Sequence, residues 1–246
     1  MPWRTDTRPY YVLVSELMLQ QTQVDRVVPK FLAFIERFPD VEALAQASLA
    51  EVLMLWQGLG YNRRAKFLHQ SAQYVCQNYA GIFPQTKQEL IRLPGVGPNT
   101  AGAILNYAFN IPTVFIETNV RTVYFYHFFT SAESIHDSQI TEVLLETLDT
   151  ENPREFYWAL MDYGSWLKKQ GVGSIKQSRH YKKQSPLEGS VRQVRGQIVR
   201  VLTQGDMNEQ SLKDVIKSDE RYEKARDGLL NDGLISLKGE KLHLTK

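Results

Sequence analysis

Leu93-Pro94-Gly95-Val96-Gly97-Pro98-Asn99-Thr100-Ala101 is the stretch that decides how this chain folds. A helix is expected to end at Leu93, because Pro94 lacks an N–H and its ring blocks continuation. Gly95 and Gly97 permit backbone conformations closed to other residues. Pro98 suits the first position of a second helix, which runs on through Ala101, Ala103, Ile104 and Leu105. A turn of this kind leaves amide N–H groups free at a helix N-terminus and so forms a phosphate site without side-chain charge. Gly95, Val96, Gly97, Asn99 and Thr100 are therefore candidate contacts to a phosphate backbone. A plain tight turn between helices is the alternative.

The surroundings are helical. Thr86-Lys87-Gln88-Glu89 is a capping-box pattern ahead of Leu90 and Ile91, so a short helix starts there. Upstream, Leu13, Leu17 and Met18 recur at helical spacing, as do Leu49, Val52, Leu53 and Trp56. Breaks fall at Phe38-Pro39-Asp40, Gly58-Leu59-Gly60, Gly81-Ile82-Phe83-Pro84 and Asn110-Ile111-Pro112. Val114-Phe115-Ile116 reads equally as a buried strand or a helix entry. After Trp166 the composition turns basic: Lys168, Lys169, Lys176, Arg179, Lys182, Lys183, Arg192, Arg195 and Arg200 are interrupted by one acid, Glu188. With Gly171, Gly173, Ser174 and Ser185-Pro186 this reads as a linker, either solvated or lying along an anionic partner. From Val191 three helical faces follow (Val194, Ile198, Val199, Leu202; Leu212, Val215, Ile216; Ala225, Leu229, Leu230). Turns at Asn231-Asp232-Gly233 and Lys238-Gly239-Glu240-Lys241 then frame a β-hairpin, the pattern of a winged helix.

Composition narrows the class. The 246 residues, 43% hydrophobic and 23% charged, are ordinary for a globular chain, and a net charge of +2 does not by itself announce a nucleic-acid partner. One cysteine, Cys76, excludes a disulfide framework, a cysteine-based zinc site and a cysteine-held iron–sulfur cluster. The start lacks the apolar core of a signal peptide and no apolar run is long enough to span a bilayer, so a cytoplasmic, nucleoid-associated protein is expected.

The proline–glycine string resembles the helix-hairpin-helix of the HhH-GPD DNA glycosylase superfamily, which includes MutY and endonuclease III. Three further segments share the resemblance, in the family's order from Pro2 to Gly164. Ser15-Glu16-Leu17-Met18-Leu19-Gln20-Gln21-Thr22-Gln23-Val24 looks like the MutY segment around its catalytic glutamate. Leu55-Trp56-Gln57-Gly58-Leu59-Gly60-Tyr61 looks like the segment with the wedge tyrosine, and Met161-Asp162-Tyr163-Gly164 like the motif before the cluster ligands. The resemblance implies a two-lobed all-α glycosylase core over residues 1–180, with its hairpin at about 88–109. A basic linker and a winged-helix (α+β) domain are expected over 181–246.

It also implies a chemistry. A nucleobase leaves poorly until protonated, and the sugar develops oxocarbenium character, so two carboxyl groups with different tasks are needed. Glu16, among Val12, Leu13, Val14, Leu17, Met18 and Leu19, would be the general acid, its pKa raised by burial. Glu117, in Ile116-Glu117-Thr118-Asn119, stands where the family has Asp, with one more methylene. Asn119 matches an asparagine that MutY enzymes place near the reaction centre. A helix-start glutamate held by the dipole is the structural alternative for Glu117. Gln20, Gln21 and Tyr61 would fill the gap left by a flipped base and address the opposite one. Arg63, Arg64 and Lys66 are candidates for phosphate contact or exposed charge. Asn99 occupies the position of the Schiff-base lysine of bifunctional relatives, so little or no lyase activity is expected.

Three departures bear on the substrate. The cluster's cysteine ligands are missing, with Gln170 to Lys183 in their place, and there is no room for the Nudix-like domain of MutY enzymes. Trp158 stands where many of them carry a Gln; Trp3 and Trp158 are the candidate lining of the base pocket. The expected function is hydrolytic removal of adenine opposite 8-oxoguanine or guanine by a cofactor-free monomer acting on double-stranded DNA. A thymine or uracil glycosylase at G mismatches, or a lesion-binding protein without catalysis, are the alternatives.

Overall fold

The computed structural model describes residues 1–129, 134–172 and 186–245. Six helices lead in: α1 (Pro2–Thr5), α2 (Pro9–Leu19), α3 (Val24–Arg37), α4 (Val41–Gln46), α5 (Leu49–Trp56) and α6 (Arg63–Tyr79). Side-chain caps fix several starts. Asp40 accepts from Ala43 N at 2.8 Å, and Ser48 with Glu51 forms a reciprocal capping box. The hairpin follows as α7 (Lys87–Leu90) and α8 (Pro98–Phe109), and α9 (Thr118–His127), α10 (Asp137–Thr147) and α11 (Pro153–Lys169) complete the main body. Helix α7 ends earlier than the sequence suggests. Bonds of 3.0 to 3.1 Å from Arg92, Leu93 and Val96 N back to Glu89, Leu90 and Leu93 O tighten the chain into turns before and after Pro94.

Helix α2 is apolar on all sides, so it has no surface to give to water and becomes the central element. Tyr10, Val12, Leu13, Val14, Leu17 and Met18 are buried, and the helix packs against α3, α6 and α8. Its C-terminal carbonyls are deep in the protein and need donors. Arg64, from the first turn of α6, supplies them. Its Nη1 donates to the carbonyls of Leu17 at 2.8 Å, Met18 at 2.9 Å and Gln20 at 2.5 Å. Its Nη2 reaches the carbonyls of Leu59 and Gly60, both at 3.0 Å, and Thr22 Oγ1 at 3.2 Å. Desolvation lowers its pKa to about 10, which leaves it charged at neutrality. Arg64 is thus neither a phosphate contact nor an exposed charge.

Residues 111–117 are neither strand nor helix. Their buried backbone groups are satisfied by side chains instead. Tyr157 Oη accepts from Phe115 N at 3.1 Å and donates to Phe115 O at 3.3 Å. Asn99 Nδ2 donates to Ile116 O at 2.9 Å, and Asn106 Nδ2 to Thr113 O at 2.7 Å. A Cβ on Gly102 would come within 2.8 Å of Phe115 Cβ, so this close approach of α8 requires glycine.

The C-terminal segment holds α12 (Val191–Leu202), β1 (Met207–Asn208), α13 (Glu209–Ile216), α14 (Tyr222–Asn231), β2 (Ile235–Lys238) and β3 (Lys241–Leu244). The strands form an antiparallel sheet in the order β1-β3-β2, with Ile235 opposite Leu244 and Met207 opposite Leu242. Strand β1, two residues long, carries no alternation and is invisible in the sequence. Val194, Ile198, Leu212, Tyr222, Leu229 and Leu242 form the segment's core. It docks on the start of α6: Lys66 Nζ donates to Asp232 O at 2.6 Å, and Arg63 lies 3.5 Å from the Asp232 carboxylate. Arg63 and Lys66 are therefore engaged by protein. The expected boundary near His180, and Lys176, Arg179, Lys182 and Lys183, fall outside the described residues. No helix among the described residues is long and apolar enough to cross a membrane.

Replacing Arg64 with Met leaves several carbonyls without donors, at about 1–3 kcal/mol for each unsatisfied group. We expect Arg64→Met to destabilise the fold by about 3 kcal/mol or more in urea unfolding. A loss below about 1 kcal/mol would contradict the bracing role.

Candidate active site

Glu16 and Glu117 come together. Glu16 lies in the second half of α2, and Glu117 is the residue before α9, delivered by the side-chain-braced segment described above. Burial pushes the Glu16 carboxyl well above the ordinary 4.5, and the Glu117 charge raises it further. Burial raises Glu117 as well, but the Arg121 guanidinium one helical turn on pulls it back down. Arg121 is itself clamped on Asp137, with bonds of 2.9 and 2.6 Å. Two neighbouring carboxyls cannot both ionise cheaply, so the one without a cation beside it holds the proton more readily. That is Glu16. Glu117 is the N-cap residue of α9 by its backbone, but its side chain makes no capping bond there.

Asn119 sits one residue into α9, its Nδ2 3.7 Å from Met161 Sδ. Its Oδ1 is buried and has no hydrogen-bond partner. A Cβ on Gly164 would lie 2.4 Å from Asn119 O and 2.8 Å from Asn119 Cβ. The Met161-to-Gly164 motif thus has a local physical cause: Gly164 lets α11 close onto α9 at Asn119.

Tyr107 was not a candidate in the sequence, where it reads as one more apolar position of α8. It is buried, and its hydroxyl is pushed well above the usual range by burial and then by the charges of Glu16 and Glu117. Trp158 stacks on it with centroids 6.4 Å apart, and the Arg4 guanidinium lies 5.4 Å from the Trp158 ring. Arg4 is fixed by bonds of 2.7 and 2.8 Å to Asp162. Trp158 is thus one ring away from the carboxyl pair. Trp3, the other candidate, sits in α1. At 7% exposure it packs edge-on against Phe31, centroids 5.1 Å apart, because an indole beside an apolar helix buries more surface than it exposes.

The hairpin turn separates the roles of its glycines. Gly95 has φ +79, and a Cβ there would meet Phe67 Cβ at 2.8 Å, so glycine is required. Gly97 has φ −90, which any residue adopts, and a Cβ there would meet nothing within 4 Å. The expectation of a special conformation at Gly97 is corrected: what it provides is open space before the N-terminus of α8. Val96 is buried and its N–H is taken by Leu93 O at 3.0 Å, so it anchors the turn. Ser71 Oγ also pins the turn, donating to Pro94 O at 2.6 Å. The N–H groups of Asn99 and Thr100 have no backbone partner and head α8, while the Asn99 side chain turns back to Ile116. Gln21 and Tyr61 have φ +58 and +46, left-handed conformations costly for such side chains. Both border the turns that Arg64 ties together, and Gln20 gives its carbonyl to the same guanidinium.

No cluster of three or more His, Cys, Asp or Glu side chains fit to hold a metal occurs among the described residues. An iron–sulfur cluster needs several thiolates, and this chain's donor set, Cys76 alone on α6, does not fit one.

Residues 14–149 match the profile of HhH-GPD superfamily base excision DNA repair proteins. An adenine DNA glycosylase of Mycolicibacterium smegmatis is 34% identical over 261 aligned positions, covering 96% of this chain and 87% of that protein. One from Buchnera aphidicola subsp. Baizongia pistaciae is 37% identical over 171 residues, 68% of this chain and 48% of that protein. The chain thus spans about half the length of the first curated relatives it matches. Among solved structures, a thermostable thymine-DNA glycosylase aligns with TM-score 0.61 and 25% identity, over 67% of this chain and 77% of that one. An endonuclease III–DNA complex aligns with TM-score 0.58 and 20% identity, over 73% of this chain and 78% of that one, a likeness of fold.

The raised Glu16 carboxyl has a thermodynamic signature. The folded chain keeps this proton at pH values where the unfolded chain, near 4.5, has released it. Stability therefore falls as pH rises above about 4.5. Glu16→Gln has no such proton, so its stability relative to the parent should grow from acid toward neutral pH. Thermal melts of both proteins across that window test this, and a difference independent of pH would refute it.

Proposed function

Because the chain belongs to the HhH-GPD superfamily of base excision DNA repair proteins, we propose that it is a monofunctional DNA glycosylase that hydrolyses the N-glycosidic bond of adenine opposite 8-oxoguanine or guanine. The observation that carries this reading is the pair Glu16 and Glu117, two partly buried carboxyls whose surroundings push their protonation apart. Glu16 donates its proton to a purine ring nitrogen and makes the base a better leaving group. Glu117, held ionised by Arg121, stabilises the positive charge that develops on the sugar. Asn119 Oδ1, buried and without a partner, accepts from the reacting nucleotide or its attacking water. The C1′–N bond breaks and the protonated base leaves; water then adds at C1′ and gives up its proton to the Glu16 carboxylate, so that an abasic site remains in the strand.

The rest of the reading follows from position. The free amides heading α8 and the open space at Gly97 take a phosphate. The Gln20–Gln21 turn and Tyr61 enter the gap left by the flipped base. Asn99, an amide committed to Ile116, offers no amine for a Schiff base, so the strand is left intact. The C-terminal helices and hairpin act as a winged helix on double-stranded DNA, with the protein as a monomer and no cofactor. A second reading, removal of thymine or uracil from G mismatches, is favoured by the likeness to a thymine-DNA glycosylase and by the half-buried Trp158 beside the site.

Duplexes carrying A:8-oxoG, A:G, T:G and U:G, treated with the protein and then with alkali, separate the readings. We expect scission of the adenine strand that depends on alkali. Scission at T or U supports the second reading, and tight binding without scission means a lesion binder. Glu16→Gln should lower turnover by about 10²–10⁴-fold, the worth of a general acid, with binding retained. Unchanged turnover in that variant would remove Glu16 from the mechanism.

A further inference from the structure

Tyr61 is held from the far end of the chain. Arg192, in the first turn of α12, donates from Nη1 to Tyr61 Oη. Its guanidinium carbon also lies 5.1 Å from the Tyr61 ring centroid. The Arg64 guanidinium, itself fixed by α2, lies 5.5 Å from the same ring. Between them stands a tyrosine with φ +46, a conformation that persists only where surroundings impose it. Arg192 is oddly placed for helix stability. A cation in the first turn opposes the macrodipole, so its position needs another cause. Tyr61 supplies one, as both hydrogen-bond acceptor and ring.

The docking around this contact is rigid. The Asp232 carboxylate takes Arg195 of α12 and Arg63 of α6, and its carbonyl takes Lys66 of α6. Gln57, four residues before Tyr61, donates to Thr203 Oγ1 just after α12. Helix α12 is thus fastened to both sides of the loop that carries Tyr61.

We propose that Arg192 is a positioning residue for Tyr61, so that the C-terminal segment sets the ring in the orientation that enters the duplex. This rests on the reading of Tyr61 as the side chain that fills the gap left by the flipped base. The phenol hydroxyl and the guanidinium plane act as one unit, and neither is useful without the other. A lysine keeps the charge but lacks the planar fork that bonds the hydroxyl and lies against the ring together.

The test is a double-mutant cycle on the full chain, read by unstacking rather than cleavage. The probe is a duplex with 2-aminopurine beside an A:8-oxoG pair, its adenosine carrying a 2′-fluoro group that resists bond breakage. Arg192→Met, Tyr61→Phe and the double variant should all lower the fluorescence rise on binding by about three- to tenfold, and to the same level. Arg192→Lys should not restore it, and the salt dependence of binding should be unchanged. Two results overturn the proposal: losses in the single variants that multiply in the double, or full recovery with Lys. Either makes Arg192 an independent phosphate contact. Tyr61→Phe keeps the ring and Arg192→Lys the charge, so an unfolded Arg192→Met leaves the test intact. Because the signal needs no base release, its failure and failure of the glycosylase reading are seen separately.

Discussion

The architecture depends on how the C-terminal end of α2 is satisfied. A helix apolar on every side is stable only when wrapped, and wrapping it carries its last carbonyls away from water. Arg64 answers with one guanidinium that takes the carbonyls of Leu17, Met18 and Gln20 on one side and those of Leu59 and Gly60 on the other. One side chain thereby fixes the depth of the helix carrying Glu16 and ties together the two turns whose tips are Gln21 and Tyr61. A buried arginine is tolerated here because its charge is spent on several carbonyl dipoles. The Glu16 carboxyl and the turns at Gln21 and Tyr61 are therefore mechanically one unit.

The second carboxyl is delivered by a different device. Residues 111–117 cross the interior without regular structure, so each buried amide and carbonyl must find a side chain. Tyr157, Asn99 and Asn106 provide them. Gly102 and Gly164 allow the flanking helices to close to distances that any Cβ would forbid. The result is a Glu117 whose backbone is set by three helices at once. The compensation for its charge comes from Arg121, itself pinned by Asp137.

Placing two carboxyls side by side where both are partly desolvated is costly, and the cost is borne by the rest of the core. The large buried rings around it, Phe115 stacked on Tyr157 at 4.1 Å and Trp56 against Phe34 at 6.2 Å, belong to the same continuous apolar cluster. The site is therefore a polar, partly exposed break in a helical core, and the desolvation there perturbs its electrostatics strongly.

Much of this was legible in the chain itself. The proline–glycine hairpin, the capping pattern at Thr86, the helical periodicity and the β-hairpin at Gly239 are local, set by dihedral preference and by neighbours a few residues away. The pairing of Glu16 with Glu117 was legible only through resemblance, since nothing near either residue names the other. Tertiary structure alone decided the rest. Arg64 reads as one of three exposed basic residues because sequence does not reveal burial. Tyr107 reads as plain core because its environment comes from residues about ten and about ninety positions away in the chain. Trp3 resembles a pocket residue and packs against Phe31. Tyr61 meets Arg192 across 131 positions. Local sequence determines which elements form and where they stop; which polar atom is left facing which other is settled only when the elements close on one another.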